Sequence, residues 1–290
     1  MPSVIYTNTA SLAAQRNLLG AQNSLTTSVE RLSSGLRINR AKDDAAGLGV
    51  AESLKKQLNG IKQGIQNIND GISMAQTAEG ALAAVSEMAQ RMITLATQGA
   101  NETLSIAQRK SIYQEIVALK TAINDVSTRT KFTGSSLFSG TALSIQVSND
   151  SNDKVQITST ALAKISIDGT SNATLDGKLT DLNTALTAAT PSTSTITSKF
   201  QGVQDEAGNF LTAITTQRGE LGAFQNQLEY TVANLSDFST NLSAARSRVI
   251  DTDYAAETAN LTKGQILQQA ATAMLAQANQ MPNVILTLLK

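Results

Sequence analysis

The strongest constraint on the fold is a heptad repeat that begins near residue 203 and continues to residue 250. Residues seven apart lie on one face of an α-helix, so the repeat predicts a long helix that packs against other helices along its length. Two interleaved sets carry the repeat: Ile214, Leu221, Leu228, Leu235, Leu242 and Val249, and Phe210, Gln217, Phe224, Thr231, Phe238 and Ala245.

The same spacing predicts a second long helix over residues 42–99 and a shorter return helix over residues 105–129. Leu54, Leu58, Ile61, Ile65, Ile68 and Ile72 begin the seam of the long helix. Four glycines, at positions 60, 64, 71 and 80, interrupt that helix, where each costs about 1 kcal/mol relative to Ala. They either let another backbone come close or are tolerated surface residues, and the sequence leaves both interpretations open.

Each end of the chain carries a shorter heptad stripe. At the N-terminal end, Leu18, Leu25 and Leu32 are seven apart, with Gln22, Val29 and Leu36 between them. At the C-terminal end the stripe consists of Leu267, Met274, Met281 and Leu288, with Ala271, Ala278 and Ile285 between them. Neither helix can bury its stripe alone, so we expect the two ends to pair as one coiled coil and to become ordered when they meet partners.

Residues 141–200 are rich in Ser and Thr and lack the seven-residue spacing of the segments on either side. Alternating apolar residues at 143–147 and 155–157, separated by a polar turn, predict a β-hairpin. Ile165 and Ile167 suggest one more short strand, residues 176–189 a weak helix, and residues 190–197 a loop. The predicted fold is mainly α: a long coiled-coil helical bundle rod with a small β-hairpin insert.

This organisation suggests three regions. Residues 1–41 with 251–290 form a terminal coiled-coil domain, residues 42–140 with 201–250 a helical bundle, and residues 141–200 the insert. Two polar joints, at residues 30–47 and 250–254, separate the terminal helices from the bundle.

The first joint is predicted to be a hinge ordered mainly by neighbouring copies of the chain. Gly35 loosens the helix there, and Arg31, Arg37 and Arg40 face a pair of carboxylates, Asp43 and Asp44. We expect the two joints to lie side by side. The arginines would then pair with Asp251 and Asp253, on the return segment or on an adjacent copy.

The carboxylates of the joints, Asp43, Asp44, Asp251 and Asp253, could also form acid pairs or a metal site. We favour carboxylates placed at helix starts, where the helix dipole stabilises negative charge.

Composition excludes several functional classes. The chain has no Cys and no His, which removes thiolate chemistry, the commonest general base and the commonest metal ligands. Formal net charge is zero, which gives no support for nucleic-acid binding. No apolar run reaches membrane-spanning length, and the N-terminus lacks the basic and apolar regions of a secretory signal. We therefore expect no enzyme activity, no cofactor, no metal and no membrane or nucleic-acid partner.

The joint sequence ERLSSGLRINRAKDDAAG, at residues 30–47, resembles the signature of bacterial flagellin, with Arg40 where Ser is usual. Flagellin-like sequence also covers residues 11–38, 70–92, 217–230 and 241–280. The resemblance is to a short form that lacks large outer domains, and it implies a structural subunit of the flagellar filament that functions in swimming motility. The alternative is a hook–filament junction protein of the same superfamily.

The resemblance also implies how and where the chain acts. It implies type III export without a cleaved signal peptide and an extracellular location in the flagellar filament. Its implied partners are further copies of itself, an export chaperone at the C-terminal segment, the filament cap and hook-associated proteins.

Three further residues, Arg91, Leu95 and Glu115, match positions at which similar flagellins contact the flagellin-sensing Toll-like receptor. The alternative is a solvated helical face that makes filament contacts. Ile93 and Thr94 depart from the residues common in flagellins that bind this receptor.

Overall fold

The computed structural model describes residues 7–168 and 172–287, with side chains described as far as residue 280. The chain forms two compact units: unit 1, Met1–Leu58 with Thr240–Lys290, and unit 2, Asn59–Ser239. Both boundaries fall within long helices, and residues 141–200 lie in unit 2. The elements in chain order are α1 (Thr9–Ser34), α2 (Ala45–Gly99), α3 (Ile106–Arg129), β1 (Lys131–Phe132), β2 (Ser135–Ser136), β3 (Leu143–Gln146), β4 (Lys154–Ile157), α4 (Ala173–Thr187), α5 (Thr193–Ile250) and α6 (Tyr254–Thr287).

The mainly α fold with a small hairpin is confirmed. In unit 2, α2 runs antiparallel to both α3 and α5. Arg91 on α2 pairs with Glu115 on α3, and Glu79 on α2 accepts a hydrogen bond from Gln225 on α5. The predicted seams fill the core, with the following residues buried: Ile61, Ile68, Leu82, Met92, Ile116, Ile123, Ile214, Leu221 and Leu228. The heptad repeats therefore specify the helices of this unit and the faces they bury.

Helix α3 begins after Ser105, where a capping box forms at its N-terminus. The Ser105 hydroxyl accepts the backbone N–H of Gln108, and the Gln108 side chain accepts the backbone N–H of Ser105. This capping box satisfies donors that have no partner within the helix, and it fixes the turn after α2.

The predicted β-hairpin forms and lies directly on α2. β3 and β4 pair antiparallel, with Ile145 opposite Val155. The Asn67 side chain of α2 donates to the Gln146 carbonyl at 3.0 Å. A methyl group at Gly64 would lie 1.7 Å from the Val147 carbonyl oxygen, so only glycine allows this approach. At Gly80 a methyl group would meet nothing within 4 Å, so both interpretations of the glycines hold, at different positions.

The expected strand at Ile165 and Ile167 is wrong. Both side chains are buried, but the segment has no strand partner among the described residues. The Asn124 side chain accepts the Ile167 N–H at 2.8 Å and donates to the Ile167 carbonyl at 3.2 Å. One amide on α3 thus replaces the strand neighbour that this backbone would otherwise need.

Helix α5 begins about ten residues earlier than the heptad repeat indicates, so the predicted loop at residues 190–197 is partly wrong. Ile196 and Phe200 are fully buried. The Phe200 ring lies so close to Gly99 that a methyl group there would be 2.4 Å from it. Burial of these two side chains explains the extra helical turns. Among the described residues, no helix has the length and apolarity that crossing a membrane requires.

Candidate assembly site

The two ends of the chain pair as antiparallel helices in unit 1. The Asn8 side chain donates to the Ala278 carbonyl at 2.8 Å, and the Ser11 hydroxyl donates to the Asn279 side chain at 2.9 Å. At the other end of the pair, Arg31 lies 3.7 Å from the buried carboxylate of Glu257. These contacts place the N-terminal stripe beside α6, as the sequence predicts.

The face of α1 that packs on α6 contains Leu18, Leu25 and Leu32, each half-buried, but not Gln22 or Val29, which were expected between them. Gln22 and Val29 are exposed, and Val29 is 51% exposed. The full face is Ser11, Ala14, Leu18, Ala21, Leu25, Ser28 and Leu32. Small residues thus alternate with the leucines, and Leu25 packs 3.5 Å from the position that a Gly264 side chain would occupy. The two helices approach closely because one partner at these levels is small.

The buried face of α6 contains Ala271 and Ala278 of the predicted stripe, but not its larger described members. Leu267 is 49% exposed and Met274 is 65% exposed, so neither belongs to the seam with α1. The residues that face α1 are Glu257, Leu261, Gly264, Gln268, Ala271, Leu275 and Ala278. Leu267 and Met274 each lie one residue before a seam position. The other two members, Leu288 and the side chain of Met281, lie outside the described residues.

An apolar groove of about 580 Å³ runs along one side of this helix pair. Buried alanines form its floor: Ala14, Ala21 and Ala278. Ala13 and Gly20 of α1 form one wall, and Leu267 and Met274 of α6 form the other. The exposed stripe that the sequence assigned to the seam therefore lines this groove.

The two joints lie side by side at the end of the pair. Leu36 and Asp251 form an antiparallel bridge, the Arg37 N–H donates to the Ile250 carbonyl at 2.7 Å, and the Thr252 N–H donates to the Gly35 carbonyl at 3.0 Å. Gly35 has φ 71°, a left-handed conformation that glycine adopts without strain. The joint is thus a short backbone ladder closed around a glycine turn.

The predicted partners of the joint arginines are wrong within the chain. Arg31 faces Glu257, Arg37 donates to the Val249 carbonyl, and Arg40 pairs with Glu30 at 2.7 Å. None of these contacts involves Asp251 or Asp253. Charge pattern alone did not distinguish these acceptors, since a backbone carbonyl and two glutamates, Glu30 and Glu257, were equally available.

The joint aspartates instead act on the backbone. The Asp253 carboxylate accepts the N–H groups of Ala255 and Ala256 at the start of α6, and Asp44 accepts the Gly47 N–H at 2.8 Å near the start of α2. Asp43 accepts the Arg40 N–H at 2.9 Å, and this hydrogen bond is the main reason that the pKa of Asp43 is lowered. Asp44 and Asp253 thus match carboxylates placed at helix starts, whereas Asp43 holds the turn that precedes α2.

Two of the three receptor-contact candidates are accessible. Arg91 and Glu115 are exposed and form an ion pair at 2.7 Å between α2 and α3. Leu95 is only 1% exposed, so as a contact residue that candidate is wrong. It lies on the core face of α2, in the turn after buried Met92, where the helical period turns it inward.

The buried charge of Arg109 was not foreseen from the sequence. Arg109 is fully buried, and its guanidinium donates to the carbonyls of Asn101 at 2.8 Å and Thr193 at 3.1 Å. It ties the turn after α2 to the start of α5. Nothing in the sequence marks it, because an Arg on an amphipathic helix normally faces water. The described residues contain no group of three or more side chains suited to hold a metal ion.

Comparison with known proteins decides the family. The pattern described as "Bacterial flagellin N-terminal helical region" matches residues 5–143, and "Bacterial flagellin C-terminal helical region" matches residues 204–289. The chain belongs to the bacterial flagellin family. This flagellin is 37% identical to a flagellin from Halalkalibacterium halodurans, covering 99% of this chain and all of the relative. It is 39% identical to a flagellin from Bacillus subtilis, covering 94% and 96% of the two chains.

Longer relatives match as well. Flagellin D of Vibrio cholerae is 34% identical, covering 98% of this chain and 99% of the relative. A solved structure described as a flagellar hook-associated protein from Vibrio parahaemolyticus has a TM-score of 0.60 and 16% identity, covering 72% of this chain and all of that one. That likeness shows a shared fold. The full-length flagellin matches identify this flagellin as a structural subunit of the extracellular flagellar filament.

Proposed function

We propose that this flagellin polymerises into the filament through unit 1, using the apolar surface that the α1–α6 pair leaves exposed. The observation that carries this proposal is the exposed Leu267 and Met274 stripe beside the groove. A contiguous apolar surface of this kind marks a site of protein association. Copies that add at non-equivalent surfaces form open helical arrays.

Electron microscopy of purified protein in polymerising salt tests this function. We expect long straight or supercoiled tubes. A hook–filament junction protein would stay monomeric under the same conditions, so persistent monomers would contradict the filament role.

The first joint acts as a hinge, and its ordering depends on the contacts of Arg31 and Arg37 with Glu257 and Val249 as well as on neighbouring copies. Reversing both charges, Arg31→Glu with Arg37→Glu, places carboxylates against a buried carboxylate and a carbonyl. We expect loss of filament assembly and motility, measured by sedimentation and by swimming in soft agar. Lys62→Glu with Lys110→Glu, a double charge reversal at exposed lysines of unit 2, is the matched control. Normal assembly of the double variant would overturn the hinge proposal.

Export proceeds through the type III flagellar apparatus without a cleaved signal, with an export chaperone on the C-terminal segment. The support is the apolar character of α6, where Ile266 is 60% exposed even when α1 is paired. Mass spectrometry of secreted protein tests the first point, since an intact N-terminus is expected. The filament cap and hook-associated proteins complete the set of proposed partners.

Arg91 and Glu115 additionally contact the flagellin-sensing Toll-like receptor. Both side chains are about half exposed, so a partner can reach them. Arg91→Ala should lower receptor activation by purified monomer while changing the free energy of unfolding by no more than about 1 kcal/mol, since exposed ion pairs contribute little. Unchanged signalling in a reporter-cell assay would count against receptor contact.

A further inference from the structure

Methionine sulfur is the group in this chain that peroxides attack most readily. The sequence has no Cys, whose thiolate would otherwise compete, and it has six methionines. Oxidation of a methionine thioether gives a sulfoxide, which is polar and can be reduced back to the thioether. The effect of a peroxide on this chain therefore depends on which methionine it reaches.

Exposure separates the methionines whose side chains the structure describes. Met74 is 4% exposed, Met92 is fully buried, and Met88 is partly buried. Met274 is 65% exposed. Because susceptibility to oxidation follows exposure, a peroxide reaches the sulfur of Met274 before it reaches the other three.

Met274 lies on the wall of the groove and not in the seam between α1 and α6. The next residue, Leu275, is the one that faces α1. An oxygen atom added to Met274 therefore disturbs no contact that holds the helix pair together. The oxidised subunit keeps its fold, and the change is confined to the surface proposed to be covered on polymerisation.

The chemical step needs hydrogen peroxide as its oxidant and nothing else. The Met274 sulfur attacks one peroxide oxygen, so an S–O bond forms as the O–O bond breaks. The proton of the transferred oxygen passes to the departing hydroxide, which leaves as water. Sulfur is oxidised by two electrons and the peroxide is reduced by the same two.

The sulfoxide oxygen is compatible with water but not with a dry contact. In the free subunit, water donates hydrogen bonds to it. Of the described α6 residues that line the groove, only Gln277 carries a side-chain donor, and Leu267, Ala270 and Ala271 are apolar. A polar group that loses its water without gaining a partner opposes association.

We propose that Met274 is a reversible oxidation site that controls whether a free subunit can join the filament. Hydrogen peroxide converts the subunit to a sulfoxide form that stays folded but assembles poorly. A methionine sulfoxide reductase restores the thioether, with a dithiol oxidised to its disulfide and the oxygen released as water. The inference rests on the proposed polymerisation through unit 1.

Polymerisation before and after peroxide treatment tests the site. Purified monomer is treated with hydrogen peroxide until tandem mass spectrometry shows one added oxygen on Met274. We expect its critical concentration for polymerisation to rise about tenfold, which corresponds to about 1.4 kcal/mol and lies within the cost of one polar group buried without a partner. Reductases for both sulfoxide epimers, supplied with dithiothreitol, should restore the original value.

Two variants assign the effect to a single residue. Each treated variant is compared with the same variant untreated, so any effect of the substitution itself cancels. Met274→Leu has no sulfur at the groove, and peroxide should leave its critical concentration unchanged. Met88→Leu, in α2 of unit 2, is the matched control and should show the same tenfold rise as wild type. A tenfold rise in treated Met274→Leu would overturn the proposal.

The rate of oxidation tests where the site is accessible. Met274 should gain oxygen more slowly in wild-type filaments than in monomer at the same peroxide concentration, while Met88, outside unit 1, serves as the internal reference. Equal rates for Met274 in the two states would contradict its burial on polymerisation and overturn the proposal.

Stability and assembly together separate the possible outcomes. Treated monomer should keep the wild-type free energy of unfolding in denaturant; a loss that accompanied the loss of assembly would mean that oxidation unfolds the subunit, and would overturn the proposal. Normal assembly of treated monomer would refute the oxidation site and leave the filament function standing. Failure of untreated wild-type protein to form filaments would refute the function itself.

Discussion

The sharpest test of the fold is Gly64→Ala, because a single methyl group should unseat the β-hairpin from α2. The added carbon would lie 1.7 Å from the Val147 carbonyl oxygen, whereas ordinary contact begins near 3.4 Å. The oxygen belongs to the backbone, so it cannot rotate away. The hairpin must retreat from the helix.

The expected cost follows from the contacts at this seat. Retreat breaks the hydrogen bond from Asn67 to Gln146, worth about 1 kcal/mol. It also exposes part of Ile145 and Val147, which are 8% and 3% exposed; losing about half of their burial costs roughly 2 kcal/mol. Because Ala favours the helix more than Gly does, the substitution itself stabilises the helix by about 1 kcal/mol. The net loss of stability is therefore about 2 kcal/mol.

Gly80→Ala is the matched control, since it makes the same substitution in the same helix where the methyl group meets nothing. It should stabilise unit 2 by about 1 kcal/mol. Denaturant unfolding followed by circular dichroism at 222 nm measures both variants, and hydrogen exchange at Ile145 reports the hairpin. If the two variants shift stability in the same direction, the hairpin does not rest on Gly64.

Two further predictions concern charged groups. Arg109→Met leaves the carbonyls of Asn101 and Thr193 without their donor and should lower the stability of unit 2 by about 2–4 kcal/mol; an unchanged thermal midpoint would contradict it. The Arg40 N–H lowers the pKa of Asp43, so the contribution of Asp43 to stability is complete above its ordinary pKa and is lost as pH falls through the lower folded value. A carboxyl titration by NMR that places the pKa of Asp43 at or above its ordinary value would refute this assignment.

The helices could be predicted from the sequence because their signal is repeated many times. In α5, Ile214, Leu221 and Leu228 are each 1% exposed or less, as the seven-residue spacing requires. Phe238 occupies a seam position but is 47% exposed. Seven-residue spacing predicts which face of the helix a residue lies on. Its burial also requires another helix to pack against that face at the same height along the axis.

The terminal seams were harder to predict because leucines seven apart identify only one of the two seam positions in each heptad. The second seam position can lie either three or four residues after the leucine. The alternatives next to Leu18 were Ala21 and Gln22, and the structure buries Ala21. The partner decides: a helix that carries Gly264 at its seam accepts a leucine at close range. The sequence of α1 alone therefore does not show whether Ala21 or Gln22 is buried.

Polar contacts across the joint were the least predictable part of the site. The arginines have long side chains that reach several acceptors, and the structure joins Arg40 to Glu30 and Arg37 to a backbone carbonyl. The short aspartates act within three or four residues of themselves, so their role at helix starts could be read from local sequence. Contacts of short side chains could therefore be predicted from local sequence, whereas contacts of long side chains could not.

The antiparallel pairing of α1 and α6 has a kinetic consequence. The hydrogen bond between Asn8 and Ala278 spans 270 residues of sequence, and closing so long a loop directly from an unfolded chain costs roughly 5 kcal/mol of chain entropy. Within unit 2, the contact between Arg91 and Glu115 spans 24 residues and that between Glu79 and Gln225 spans 146, and both form without either end of the chain. The helix pair is therefore the last part to form: during synthesis, α1 emerges first and has no partner until α6 has been made.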